Sequence, residues 1–206
     1  MFRVLSLATV LMATLWLTAC GGMRLVESDV RSFANPPFIP TGASYRFERL
    51  PSQQTDAQQQ ARLETMAQTA LGKVGLKRHE AAASYSVQVS VGTKVDPFSP
   101  WERPSMGSGA GWNFGFGVQT GNVMIASRSG LFGMTGFGME SPYYWRQVSL
   151  IVRSVGNNQV VYETHAANDG RWADSEAVLP AMFDAALQGF PNPPQGVRRI
   201  NVEIPR

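Results

Sequence analysis

Apolar and polar side chains alternate along six stretches of this chain and recur at steps of three and four in two others, a division that predicts an α+β fold. Leu25–Phe33 alternates loosely and reads as a short strand, which Asn35-Pro36-Pro37 breaks. In Ser44–Leu50, Tyr45 and Phe47 face one way and Arg46 and Glu48 the other. A second strand is therefore expected, forming a hairpin with the first. Thr55 and Gln58 stand at capping-box spacing ahead of a helix whose apolar stripe is Leu63, Met66, Ala67, Ala70, Leu71 and Val74. Gln59, Arg62, Gln68 and Lys73 lie off the stripe, and Gly75 supplies a left-handed stop. Tyr85, Val87, Val89 and Val91 then alternate with Ser86, Gln88 and Ser90, a half-buried strand that Pro97 and Pro100 end.

The second half of the chain repeats the scheme. Tyr144–Val155 sets Val148, Leu150 and Val152 against Gln147, Ser149, Ile151 and Arg153; Gly156-Asn157-Asn158 turns the chain, and Gln159–Ala166 returns beside it. A second helix is predicted over Ser175–Gln188, capped by Asp174 or Ser175, with Pro180 in its first turns. Val178, Met182, Phe183, Ala186 and Leu187 make its apolar stripe, and Gly189-Phe190-Pro191 ends it. A last strand, Arg199–Ile204, puts Ile200, Val202 and Ile204 on one face. The order ββ-α-β-(Gly-rich segment)-ββ-α-β predicts an antiparallel sheet of about five to seven strands with two helices packed on one face.

Residues 105–140 stand apart, holding ten of the 20 glycines. Within them Trp112, Phe114 and Phe116 occupy every second place, which suits either a glycine-faced strand or a loop. Two readings stay open for these aromatics: a contact surface for lipid, glycan or a protein partner, or a cover over the domain's own core.

Length and composition narrow the classes. At 206 residues, 44% of them hydrophobic, the chain suits one domain with a substantial core. A formal charge of +3 speaks neither for nucleic acid nor for an electrostatic membrane patch. The one cysteine, Cys20, cannot form an internal disulfide, so packing and hydrogen bonds must hold the fold.

Cys20 sits where it carries most meaning. Arg3 precedes an uncharged run from Val4 to Leu17, 14 residues, which has the length of a signal-peptide core and is short of the ~20 a spanning helix needs. The run closes on Leu17-Thr18-Ala19-Cys20, which resembles the bacterial lipobox: an apolar residue, two small ones for the peptidase cleft, then the thiol. The resemblance implies a signal peptide over 1–19, cleavage between Ala19 and Cys20, and palmitate-type acyl chains on Cys20 as the covalent lipid. No other cofactor is expected. An ordinary secretory signal and an uncleaved anchor are the competing readings. Gly21 stands where inner-membrane-retained lipoproteins carry Asp, which implies the outer membrane, facing the periplasm.

Reactive constellations are sparse. His79 lies in a charged turn with Lys77, Arg78 and Glu80, and His165 falls on the solvent side of its strand by alternation; neither has the close partners zinc requires, so no metal site is expected. There is no Gly-x-Ser-x-Gly elbow, and no glycine motif opens a phosphate-binding helix. Asp169, Asp174 and Glu176 cluster around Trp172 and could serve a cell-wall hydrolase, though acidic residues also collect at a helix start for capping and dipole reasons.

Taken together, the lipobox, Val26–Phe33, the Tyr45-Arg46-Phe47 strand, Gly75-Leu76, the strand from Ser84, the late hairpin and Phe190-Pro191 resemble the DUF4136 lipoproteins of proteobacteria. That family brings no activity and no catalytic residues. The expectation is a non-catalytic, lipid-anchored envelope protein with residues 20–206 as a single periplasmic domain in a binding, scaffolding or envelope-maintenance role. It would contact the membrane through its lipid and an envelope protein through its surface, and bind no nucleic acid. The alternatives are an accessory subunit of an outer-membrane complex, or the hydrolase.

Overall fold

The computed structural model describes residues 22–96 and 142–206; Ala19, Cys20, Trp112, Phe114 and Phe116 lie outside the described residues. The elements run β1 (Met23–Ala34), β2 (Ser44–Phe47), α1 (Pro51–Gln54), α2 (Ala57–Lys73), β3 (Lys77–Arg78), β4 (Tyr85–Asp96), β5 (Tyr143–Ser154), β6 (Val160–Gly170), α3 (Ser175–Ala186) and β7 (Val197–Pro205). The seven strands form one sheet in the order β3-β2-β4-β5-β6-β1-β7.

The sheet is mixed, which corrects the antiparallel expectation. β2 pairs parallel to both β3 and β4, while the ladders from β4 through β7 are antiparallel. The hairpin expected between β1 and β2 does not form: β1 lies between β6 and β7, and β2 lies between β3 and β4. The loop after Ala34 carries the chain to the other side of the sheet instead of folding it back. The β5–β6 hairpin forms around Asn158, whose φ of 56° takes the left-handed turn.

One face of the sheet carries the core. Val87, Val89, Val148, Leu150, Val152, Ala166 and Val30 lie in register across β4, β5, β6 and β1 and are fully buried. Each such valine or leucine contributes on the order of 1.5–3 kcal/mol on burial. Against them pack Leu63, Ala67, Ala70 and Leu71 of α2 and Val178, Met182, Phe183 and Ala186 of α3, as the two helical stripes predict.

The described residues hold three helices where two were expected; α1 is a single turn that periodicity cannot register. Its residue Gln53 accepts from the Leu50 N–H and donates to the Val89 carbonyl, pinning the turn to β4. The capping box expected at Thr55 is also corrected. Asp56 caps α2 by accepting from the Gln59 N–H at 3.1 Å, while Thr55 closes α1. Gly75 ends α2 as predicted, at φ +89°, and Leu76 N–H donates back to Leu71 O at 3.0 Å. None of the described helices is long and apolar enough to cross a membrane.

Candidate functional site

Among the described residues, two places gather side chains with chemistry, at opposite ends of the sheet. The first forms where β1 begins. Alternation puts Arg24 on the core face of β1, in line with Val26 and Val30, and it is 7% exposed. An arginine there must find partners. Its guanidinium donates to Asp174 at 2.5 Å and lies over the Trp172 ring, 5.0 Å from the centroid. Arg146 reaches the same corner from β5, donating to Ser175 Oγ at 2.9 Å and to the Trp172 carbonyl. Burial lowers the pKa of Arg146 from its ordinary value.

Asp174 is the acidic centre of this corner and the N-cap of α3. Its Oδ1 accepts from the Ala177 N–H at 3.0 Å. That backbone bond, together with the Arg24 guanidinium, holds its carboxyl below the ordinary value of 3.8. The positive end of α3 and both arginines are thus answered by the chain's own carboxylate.

The three carboxylates of the hydrolase reading are not brought together. Asp169 projects from the other face of β6 and accepts from the Tyr143 hydroxyl at 2.6 Å; burial, then that bond, raise the Tyr143 pKa. Asp174 is bound to Arg24 and to its helix, and Glu176 is exposed in the first turn. The placement of His165 is a correction. It does face away from the helices, yet it is 3% exposed, with Nε2 2.7 Å from Glu163 Oε1. Alternation assigns a side of the sheet and says nothing of what covers it. His79 lies in the exposed turn, its Nδ1 accepting from Ala82 N–H at 3.0 Å. Among the described residues no group of three or more His, Cys, Asp or Glu is placed to hold a metal.

The second place is an open cleft of about 420 Å³ at the far end of the sheet, lined by Asn35, Pro36, Tyr85, Asn157, Gln159 and their neighbours. Among the described residues its lining carries amides, a phenol, a serine hydroxyl, prolines and valines. Asn157 Nδ2 donates to Gln159 Oε1 at 2.9 Å, so two of these amides are partly satisfied by each other. Such a wall offers hydrogen bonds and flat contacts.

The model of the family described as "Domain of unknown function (DUF4136)" matches residues 26–192. The chain belongs to the DUF4136 family. The matched span of this DUF4136 domain runs from Val26 in β1 past the end of α3, so it includes Trp172, Asp174 and the lining of the cleft, while Arg24 at the start of β1 and the whole of β7 lie outside it. A search of curated proteins found no match. Among solved structures, the DUF4136 domain is similar to a PDZ domain protein from Parabacteroides distasonis at 12% identity and a TM-score of 0.51, covering 89% of this chain and 39% of that one. That likeness concerns the fold. The PelC dodecamer from Paraburkholderia phytofirmans is more distant, at 14% identity and a TM-score of 0.42 over 81% of this chain and 99% of that one. A variant of that dodecamer gives 15% identity and a TM-score of 0.41 over 78% and 94%.

The residues that sequence reasoning missed are Arg24 and Arg146. The signal was available: both stand on apolar faces of strands, where an arginine needs a carboxylate, carbonyl or ring within reach.

Proposed function

We propose that this DUF4136 chain is a lipid-anchored protein of the bacterial cell envelope. It is cut between Ala19 and Cys20 and acylated on Cys20, and it acts by binding or scaffolding without catalysis. The reading is carried by the order of charge, apolar run, small residues and cysteine in Arg3–Cys20, followed at once by the fold: β1 begins at Met23. Two or more acyl chains give a firm hold, each buried CH₂ adding about 0.8 kcal/mol. Gly21 directs the assignment to the outer membrane, facing the periplasm. The separation of Asp169 from Asp174 on opposite faces of the sheet supports the non-catalytic reading over the hydrolase.

The test is Cys20→Ser in the native host. Loss of labelling by a fatty-acid probe, with accumulation of the uncut precursor, is the expected result. Normal processing and continued labelling of that variant would overturn the anchor. Affinity capture from solubilised envelopes, read by mass spectrometry, would name the protein partner.

A further inference from the structure

We propose that the end of the sheet bearing Gly22, Met23, Trp172 and Arg206 rests directly on phospholipid headgroups. The Trp172 ring lies at the interface, and the Asn157 turn points away from the bilayer. The inference rests on the anchor reading above and adds an orientation and a second membrane contact to it.

The first support is the length of the tether. Cys20 precedes Gly22 by two residues, which span at most about 7 Å. Gly22 already belongs to the fold: its carbonyl accepts from Arg206 N–H at 2.9 Å, and the Arg206 side chain lies 3.1 Å from where a Gly22 Cβ would stand. A lipid on Cys20 therefore leaves no slack between the bilayer and the start of β1.

The second support is what that end displays. Trp172 is 49% exposed, its ring stacked beside Arg24, two residues into the fold from Gly22. Indole rings favour the membrane–water boundary, where one edge is apolar and the other wet. Met23 and Leu25, 56% and 45% exposed, project from the opposite face of the same strand end, so apolar side chains flank the anchor on both sides. Arg206 is exposed at this end and sets a positive charge beside the anchor. Asn157 sits in the β5–β6 turn, past the far end of the 12-residue β1. At ~3.3 Å per residue the strand places that turn and its cleft about 40 Å from the headgroups.

The test uses the full-length protein, processed in cells and reconstituted into phosphatidylethanolamine–phosphatidylglycerol vesicles. Cys20 is the one native cysteine. Once it carries lipid, Trp172→Cys and Asn157→Cys each offer a single thiol for an environment-sensitive fluorophore. Met23→Cys gives a second probe of the same end that leaves the Arg24 stack intact, and circular dichroism selects the folded variants. Intact mass of each sample reads the lipid on Cys20 separately.

With lipid present, quenching by brominated acyl chains should remove emission at positions 172 and 23 and leave 157 unchanged. Lipidated protein quenched equally at both ends, or at 157 alone, overturns the orientation while the anchor stands. Protein without lipid overturns the anchor. In that case, quenching at 172 on added vesicles still supports the membrane face, and its absence overturns that as well.

Discussion

Helix α3 is fastened at both ends, by different physics. Its N-terminus is held by charge: Asp174 caps the first turn and pairs with Arg24, while Arg146 binds Ser175 and the Trp172 carbonyl. Its C-terminus is held by buried hydroxyls, with Arg198 donating to the Gln188 carbonyl at 3.0 Å. Thr164 donates to the Ala186 carbonyl at 2.7 Å and accepts from Ser32 at 2.8 Å, both side chains buried, and Tyr162 stacks edge-on to Phe190 at 5.0 Å. The charged end lies at the surface, with half of the Asp174 side chain exposed, and the hydroxyl end lies in the core. The N-terminal fastening should answer to acid, through the Asp174 carboxylate, and the hydroxyl bonds of Thr164 should not. The responsive one sits at the end we assign to the membrane.

The largest expected effect tests the segment both ends share. Phe183→Ala empties a fully buried site in the middle of α3 and should cost about 4 kcal/mol in denaturant unfolding. Thr164→Val comes next. It strands the Ala186 carbonyl, takes one partner from the Ser32 hydroxyl and should cost about 2 kcal/mol. Asp174→Ala removes the cap and takes the carboxylate from the buried Arg24, and should cost about 2 kcal/mol, less as salt screens Arg24.

The Asp174 cost should also vary with pH, and its sign follows from the depressed pKa. A carboxyl held below its ordinary 3.8 in the fold adds its stability above that value. It loses that stability as pH falls through the native one. Stability curves of wild type and Asp174→Ala should therefore converge in strong acid, while the gap between wild type and Thr164→Val persists. Equal pH responses of the two variants would erase the contrast between the ends. Trp172→Ala should be the mildest, about 0.5 kcal/mol for the lost stack on Arg24. Its consequence is expected in vesicle contact more than in stability.

What could be read from sequence was what depends on neighbours along the chain. The β5–β6 hairpin is written in Val148, Leu150 and Val152 and in the Gly156-Asn157-Asn158 turn; α2 and α3 are written in their stripes and in Gly75 and Asp174. What escaped depends on neighbours across the fold or is too brief to show a period. α1 and β3 have four and two residues. The parallel pairing of β2 follows from β4 being free on that side once β5 holds the other, a fact of the finished sheet. Arg24 lay one residue before the predicted strand, so its place on the apolar face went unread. The same alternation that placed His165 on the outer face could not tell that it is buried there.

The pairing of β1 with β7 ties the beginning of the domain to its end: Met23 lies opposite Pro205 and Arg31 opposite Val197. Its other neighbour, β6, is also made late. On a growing polypeptide β1 therefore has neither of these partners until more than a hundred further residues have been added, and it gains the second only with the nine residues of β7. Closing so distant a loop is slow and comes late in folding. Loss of the final strand would leave β1 as a bare edge carrying Met23, Leu25 and Phe33, the kind of surface on which incomplete chains stick to one another.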